Sequence, residues 1–187
     1  MKKLMVALLA LVAISSLAYA QQPVIGIFED VDATFCDGTV AQYVEKDCYV
    51  YAILPPEIGA ITAAEFRLDN LPMTDGLGIT TPAWTTNLVI GDANTGIALA
   101  YANPQPGPLV ALGTLTFFMI DALWIGDDHE VWTMPSLSSG VLAVVDDAFN
   151  TIDALGYRYT FNCTTECPCE DITATEETTW GSVKALF

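Results

Sequence analysis

The sequence predicts an all-β fold, an antiparallel two-sheet β-sandwich of about nine strands that ends in a short helical tail. The chain contains short β-type runs, turn-forming residues separate these runs, and no long stretch repeats with helical periodicity. Hydrophobic residues make up 52% of the 187 residues, enough to fill the space between two sheets. The predicted strands cover residues 24–30, 48–54, 63–69, 86–91, 96–102, 109–121, 129–134, 140–146 and 156–161.

The side-chain patterns of two runs predict how those strands are placed. In residues 63–69, the apolar side chains of Ala64, Phe66 and Leu68 alternate with charged ones, which predicts one buried face and one wet face. In residues 113–120 both alternating sets are largely apolar, which predicts a central or covered strand. Turn-rich connections too short for a crossover favour antiparallel neighbours.

Residues 1–20 are predicted to be a cleavable secretory signal peptide. They combine two lysines, an uninterrupted apolar run and the small-residue exit Ala-Tyr-Ala. We therefore expect a secreted or cell-surface protein with a β-sandwich domain over residues 21–162 and no transmembrane segment after signal cleavage. Residues 163–187 are expected to form a cysteine-containing linker and an amphipathic C-terminal tail.

The charge balance excludes some classes of partner. Twenty-three Asp and Glu residues stand against six Lys and Arg residues, a net charge of -17. Binding to nucleic acid or anionic lipid requires clustered cations, so neither is expected as a partner. The high hydrophobic content favours a folded core inside an acidic, solubilising surface.

Five cysteines are disulfide candidates, because disulfides persist in an oxidising extracellular environment. Cys36 and Cys48 bracket a loop and are expected to join the first two strands, while two of the three late cysteines pair. A bridge from Cys36 to the late group is the alternative, and the odd number leaves at least one cysteine unpaired in a monomer. A zinc site is the weaker interpretation of the late group. That group consists of Cys163, Cys167 and Cys169.

The middle of the chain resembles a cohesin-type module, the jelly-roll β-sandwich of secreted bacterial scaffold and cell-surface proteins. The stretch ITAAEFRLDNLP, residues 61–72, is similar to a cohesin strand with alternating apolar positions and a closing proline. The stretch NTGIALAYANPQPGPLVALGTLTFFMID, residues 94–121, is similar to the following strand pair, with its NTG turn and L-x-T-L-x-F strand. The resemblance implies a cohesin-like jelly roll. No duplicated calcium loop of the dockerin type is present.

The C-terminal element TTWGSVKALF resembles the ends of secreted proteins from little-studied environmental bacteria. Trp180, Val183 and Phe187 are spaced to share one face of a short amphipathic helix. A helix of about ten residues is about 15 Å long, which is too short to cross a membrane. We expect these three residues to dock on the sandwich itself or on other machinery.

Several acidic turns offer oxygen ligands that would suit calcium. They are the run 29–32 with Asp37, the pair Asp92 and Asn94, and residues 127–128. The run that begins at Asp30 lacks the glycine at position six and the acidic residue at position twelve of an EF-hand loop. Solvated turns are therefore the preferred interpretation, no cofactor is predicted, and calcium is the alternative.

No catalytic motif is recognisable, so the protein is predicted not to be an enzyme. His129 is the only histidine, and the run SLSSG at residues 136–140 is not a nucleophile elbow. Trp84, Trp124 and Trp132 would suit a sugar-binding platform but are better explained as packing residues.

The predicted function is that of a secreted, non-enzymatic interaction or structural module with a protein partner or self-association at the cell surface. A carbohydrate-binding accessory protein is one alternative, which tryptophans exposed on one face would support. A self-assembling extracellular filament subunit is the other, because exposed edge strands pair with neighbours.

Overall fold

The computed structural model describes residues 22–72, 76–169 and 171–172, which form a β-sandwich of thirteen strands with a short 3-10 helix at Ala122–Trp124. In chain order the strands are β1 (Val24–Phe28), β2 (Asp37–Gly38), β3 (Glu45–Ile53), β4 (Ala60–Asp69), β5 (Gly78–Trp84), β6 (Leu88–Asp92), β7 (Gly96–Pro106), β8 (Leu109–Met119), β9 (His129–Met134), β10 (Ala143–Asp146), β11 (Thr151–Asp153), β12 (Leu155–Phe161) and β13 (Asp171–Ile172).

The strands form two layers. Sheet 1 has the order β12-β1-β3-β8-β5, and sheet 2 has the order β11-β10-β4-β7-β6. Strand β9 pairs with β4 on one side and with β12 on the other, so it joins the two sheets at one edge. The short strands β2 and β13 pair with β12. The predicted two-sheet β-sandwich is confirmed.

All nine predicted strands are present, with ends shifted by a few residues, and β5 is the main strand that the pattern missed. Its sequence, GITTPAW, contains Pro82 and two threonines and has no clear apolar alternation. Proline is tolerated there because β5 lies at the edge of sheet 1, where β8 is its one partner among the described strands. The other strands that the pattern missed, β2, β11 and β13, have two or three residues each.

Sheet 1 contains parallel as well as antiparallel pairs, whereas the sequence predicts antiparallel pairing throughout. Strands β1 and β12 are parallel, with Val24 opposite Leu155, and β2 is also parallel to β12. Parallel neighbours need a long connection, and here almost the whole domain connects β1 to β12. Short turns favour antiparallel pairing only between strands that follow each other in the chain. Strands from the two ends of the domain can therefore pair in parallel.

The core lies between the two sheets. Ala64, Phe66 and Leu68 of β4 are buried, as their alternation predicts. Strand β8 pairs with β3 and β5, so the prediction of a central strand is also confirmed. Its inward side chains are fully buried and pack with those of β1 and β4. The largest fully buried core side chains include Trp124, Tyr159, Phe66, Phe117, Phe161, Ile25, Ile27 and Ile61.

Candidate functional site

The outer face of sheet 2 carries two rows of side chains that are apolar except for Glu65. Cross-strand partners point to the same side of a sheet, so the pairing register defines each row. One row runs through Leu88, Ala100, Ala63 and Val145. The next row runs through Ile90, Ala98, Glu65 and Ala143. We call Leu88, Ile90, Ala98, Ala100, Ala63 and Val145 the alanine face.

The alanine face is accessible at its β6 edge. Ile90 is 70% exposed and Leu88 is 59% exposed, and the alanines between β6 and β10 are half-buried. The carboxylate of Glu65 accepts a hydrogen bond from the Ser139 hydroxyl at 2.5 Å, at one side of the face. An apolar row beside a row that contains a single carboxylate is more typical of a protein-binding surface than of a reaction centre.

The sequence contains one indication of this face, which the prediction of strands did not use. In β7 the residues that alternate with the inward Ile97 and Leu99 are Ala98 and Ala100, where a wet face would carry polar side chains. Which residues of other strands stand beside these alanines depends on strand order and register. Both are set by the tertiary structure.

A second cluster of polar groups is mostly enclosed between the sheets and the segment around β2. The Tyr159 hydroxyl donates a hydrogen bond to Glu29 Oε2 at 2.7 Å, and Lys46 forms an ion pair with the other oxygen of Glu29. The thiol of Cys48 lies 3.4 Å from the Tyr159 oxygen. Gly38 lies against this cluster, where a Cβ atom would overlap Glu29 Oε2 and the Tyr159 hydroxyl.

Burial favours the protonated forms of the Cys48 thiol and the Tyr159 hydroxyl in this cluster. Burial raises the pKa of Cys48 from 9.0 to about 12, so the thiol stays protonated at neutral pH. Burial also raises the pKa of Tyr159 well above 10, and neighbouring Cys48 and Glu29 act in the same direction. Nucleophilic cysteines need a lowered pKa, so the raised pKa and full burial of Cys48 fit a packed core residue.

The disulfides differ from the first expectation for the cysteines. Cys36 bonds to Cys169, which is the alternative pairing, and Cys163 bonds to Cys167. The expected bridge between Cys36 and Cys48 does not form, because Cys48 points into the core and is fully buried. Pairing of β2 with β12 places Cys36 beside the end of β12, where the chain then continues to Cys169.

The bridge between Cys36 and Cys169 covers part of the outer face of sheet 1. Buried Phe28 and Tyr51 of this face pack with Cys36, and Tyr157 and Cys169 contact the same cluster. Phe28 lies 6.2 Å from Tyr157 between ring centroids, in an edge-on arrangement. Strand β13 continues on this side by pairing with β12. The described part of the expected linker, up to Ile172, is therefore attached to the sandwich.

The acidic turns use their carboxylates to hold the backbone. Asp30 accepts hydrogen bonds from the backbone N–H groups of Thr34 and Phe35 and from the Thr34 hydroxyl. Asp92 does the same with Asn94 and Thr95. Asp128 accepts a bond from the Thr164 backbone at 3.1 Å, while Asp127 is exposed. Among the described residues, no three or more His, Cys, Asp or Glu side chains are grouped to hold a metal ion.

His129 and the tryptophans do not form a common site. The imidazole of His129 stacks on Trp124 with ring centroids 4.3 Å apart, and its Nε2 lies 3.0 Å from the Leu123 carbonyl oxygen. Trp124 is 1% exposed. Trp84 lies on β5 and Trp132 on β9, in different parts of the sandwich. The three tryptophans therefore do not assemble the exposed platform that carbohydrate binding would need.

Two sets of predicted residues lie outside the described part of the chain. They are the signal peptide, residues 1–20, and the tail candidates Trp180, Val183 and Phe187. Among the residues that are described, no helix has the length and apolar character needed to span a membrane.

The comparisons with known proteins bear on the fold. No family model and no curated protein match the sequence. The complex of CaDoc0917 with CaCohA2 matches with a TM-score of 0.54 at 12% identity, over 76% of this chain and 99% of that chain. CaCohA2 from Clostridium acetobutylicum in solution gives 0.49 at 12% identity, over 80% and 96% of the two chains. The sixth cohesin of scaffoldin B from Acetivibrio cellulolyticus, in complex with a Cel5 dockerin, gives 0.48 at 11% identity, over 76% and 99%. The match with a TM-score of 0.54, together with the strand order, shows the cohesin-like jelly-roll β-sandwich fold that the central motifs predict.

Proposed function

We propose that this chain is a secreted, non-enzymatic module that binds a partner protein through the alanine face, at the cell surface or outside the cell. The observation that carries the proposal is the apolar row that crosses β6, β7, β4 and β10. Its β6 edge carries the exposed side chains of Leu88 and Ile90. Contiguous exposed apolar patches on monomeric proteins mark interaction sites. The fold supports the same conclusion, because CaCohA2 was solved in a complex with CaDoc0917.

The partner surface that fits best has an apolar centre and a basic border. Small side chains on the alanine face let a partner approach the sheet closely, and Leu88 and Ile90 would insert between partner side chains. The net charge of -17, with Glu65 and Asp153 beside the face, favours cationic groups around the contact.

The groups that would suit catalysis are engaged in structural contacts, which supports a non-enzymatic role. The Cys48 thiol is buried and protonated, and the His129 ring is stacked on Trp124. The hydroxyls of Ser136 and Ser138 lie 3.0 Å apart and bond to each other.

Site-specific photo-crosslinking tests the proposed face. A benzophenone amino acid is placed at Ile90 and, as a control, at Leu123, which is similarly exposed but lies in the 3-10 helix on another part of the molecule. On cells that express the protein, we expect one adduct of defined mass from position 90 and none from position 123. Ala98→Arg should abolish the adduct without lowering the melting temperature. Equal adducts from both positions, or none from position 90, would contradict the proposal.

Self-assembly is the second candidate, because β6 is an edge strand with two exposed apolar side chains and no proline. Size-exclusion chromatography with light scattering, with and without calcium, distinguishes self-assembly from binding of a different partner protein. The partner-binding proposal expects a monomer in both conditions. A concentration-dependent series of oligomers that Ile90→Lys dissolves would favour filament formation instead.

We also propose that residues 1–20 direct export and that the C-terminal tail attaches the secreted protein to other machinery. Mass spectrometry of the exported protein should find its first residue at Gln21. Deletion of residues 176–187 should reduce retention at the cell surface and leave the melting temperature unchanged, because described residues fill the core. A large fall in melting temperature with unchanged retention would instead favour packing of Trp180, Val183 and Phe187 on the sandwich.

A further inference from the structure

A cavity of about 180 Å³ lies at one open edge of the sandwich, between β5 and the hairpin that joins β6 to β7. Leu71, Leu115, Pro82 and Trp84 supply apolar walls, and Ala93 closes the side formed by the hairpin. Its volume is similar to that of an engineered apolar cavity of about 150 Å³ that binds benzene. The cavity is therefore large enough for a six-membered aromatic ring.

The ring of Trp84 is held in place by its neighbours. It packs edge-on against buried Phe66, with ring centroids 5.9 Å apart. It also lies directly over Gly113 of β8, where a Cβ atom would come within 2.5 Å of the ring. A glycine at position 113 thus creates the space in which the indole lies, so the aromatic wall of the cavity is preformed.

One polar group of this cavity has no partner in the described structure. Thr80 is 4% exposed, it lines the cavity, and its hydroxyl oxygen makes no hydrogen bond to any described residue. Leaving a buried hydroxyl without a partner costs free energy, and a ligand that bonds to it would recover that cost. Asp92 also lines the cavity, but its carboxylate already accepts hydrogen bonds from the Asn94 and Thr95 backbone.

We propose that this cavity binds an uncharged phenolic group, whose ring packs on Trp84 and whose hydroxyl bonds to Thr80. The apolar walls disfavour a charged ligand because burial of an unpaired charge is costly. A sugar would need several polar partners, and most of the lining is apolar. The phenol belongs either to a free small molecule or to a tyrosine side chain of another protein. The site is separate from the alanine face, so it does not rest on the partner-binding proposal.

Titration with p-cresol and with toluene, which lacks the hydroxyl, tests the proposal. Binding is followed by melting temperature and by tryptophan fluorescence, with Trp84→Phe to identify the reporting indole. We expect p-cresol to bind the unaltered protein roughly threefold to tenfold more tightly than toluene, the contribution of one hydrogen bond. Thr80→Val should abolish or reverse this preference, because the cresol hydroxyl then has no partner in the cavity. The matched control Thr81→Val, on the exposed face of the same strand, should keep the preference.

N-acetyl-tyrosinamide distinguishes the two sources of the phenol. Its saturable binding, lost in Thr80→Val, would assign the site to a tyrosine side chain, whereas binding of p-cresol alone would assign it to free phenols. The proposal is overturned if neither p-cresol nor toluene binds saturably, or if Thr80→Val still prefers p-cresol. Replacement of a buried hydroxyl by a methyl group conserves shape, so this variant is expected to fold.

Discussion

At the scale of single residues, the contact between β2 and β12 depends on close packing around the Tyr159 hydroxyl. Glu29 is held by Tyr159 and by Lys46, and Gly38 allows both groups to reach the same place. Only the hydrogen atom of a glycine fits at position 38. A two-residue strand, β2, is therefore kept in contact with β12 by the absence of a side chain.

Gly38→Ala is expected to destabilise the protein by about 1–3 kcal/mol, the typical cost of excess volume in a packed region. The added Cβ overlaps Glu29 Oε2 and the Tyr159 hydroxyl, so their hydrogen bond must break or β2 must move. Urea unfolding at neutral pH measures this cost. Gly59→Ala is the control, because no atom lies within 4 Å of the new Cβ there. An equal effect of both substitutions would show that the contact is unimportant.

The Cys48 thiol is expected to make stability decrease at alkaline pH. Its pKa is raised from 9.0 to about 12 in the folded state, so the unfolded chain loses this proton first as pH rises. The stabilisation is complete below pH 9 and is lost progressively towards pH 12, with about 1 kcal/mol lost by pH 10. The free energy of unfolding at pH 8 and pH 10 is compared for the unaltered protein and Cys48→Ala. The variant should show the smaller decrease, and identical decreases would contradict this assignment.

At the scale of elements, the β6–β7 hairpin shows how a turn supports both candidate surfaces. Gly91 has a φ of 88°, and a Cβ there would overlap the Gly96 carbonyl oxygen. Asp92 closes the turn by accepting hydrogen bonds from Asn94 and Thr95. The hairpin carries Ile90 of the alanine face on its outer side and Ala93 of the cavity at its tip.

Asp92→Asn is expected to reduce the acid sensitivity of the hairpin. The hydrogen bond from the Thr95 hydroxyl holds the pKa of Asp92 below its usual 3.8; slight burial opposes this effect, and the backbone N–H groups of Thr95 and Asn94 support it. Its stabilisation is therefore present above pH 3.8 and is lost as pH falls through the lower folded-state pKa. Urea unfolding at pH 6 and pH 3 should show a smaller loss in the variant. Asp127→Asn, in an exposed turn, is the control for loss of one carboxylate, and an equal reduction in both variants would contradict the prediction.

At the scale of the whole molecule, the two disulfides are expected to contribute unequally to stability, because they close loops of very different length. The bridge between Cys36 and Cys169 spans 133 residues, whereas the bridge between Cys163 and Cys167 spans four. The long bridge ties the segment after β12 to the start of the domain and covers the aromatic cluster of sheet 1. The short bridge shapes only a local turn.

Removing the long bridge by Cys36→Ser with Cys169→Ser should cost about 5 kcal/mol in the chain-entropy account, and removing the short one about 2 kcal/mol. The second double variant, Cys163→Ser with Cys167→Ser, is thus the natural control for loss of two cysteines. Urea unfolding of both under non-reducing conditions gives the difference. Equal costs would mean that the long bridge does not restrict the unfolded chain as proposed.

Local patterns account for much of the fold but for little of the site. Alternation in residues 63–69 predicts the buried face of β4, and the apolar runs predict eight further strands. Strand β5 is missed because Pro82 and its threonines do not distinguish an edge strand from a loop. The sequence leaves the partner of Cys36 open between Cys48 and the late cysteines, because the pairing follows from the position of β12 beside β2. The alanine face and the cavity each combine residues from distant parts of the chain.

The sequence by itself determines an acidic, cysteine-containing β-sandwich, because composition and side-chain alternation act locally along each strand. Strand order, the parallel pairing of β1 with β12, the disulfide partners and the two candidate surfaces are decided only by the tertiary structure. They depend on which distant segments reach a common place, and that outcome reflects the packing of the entire core.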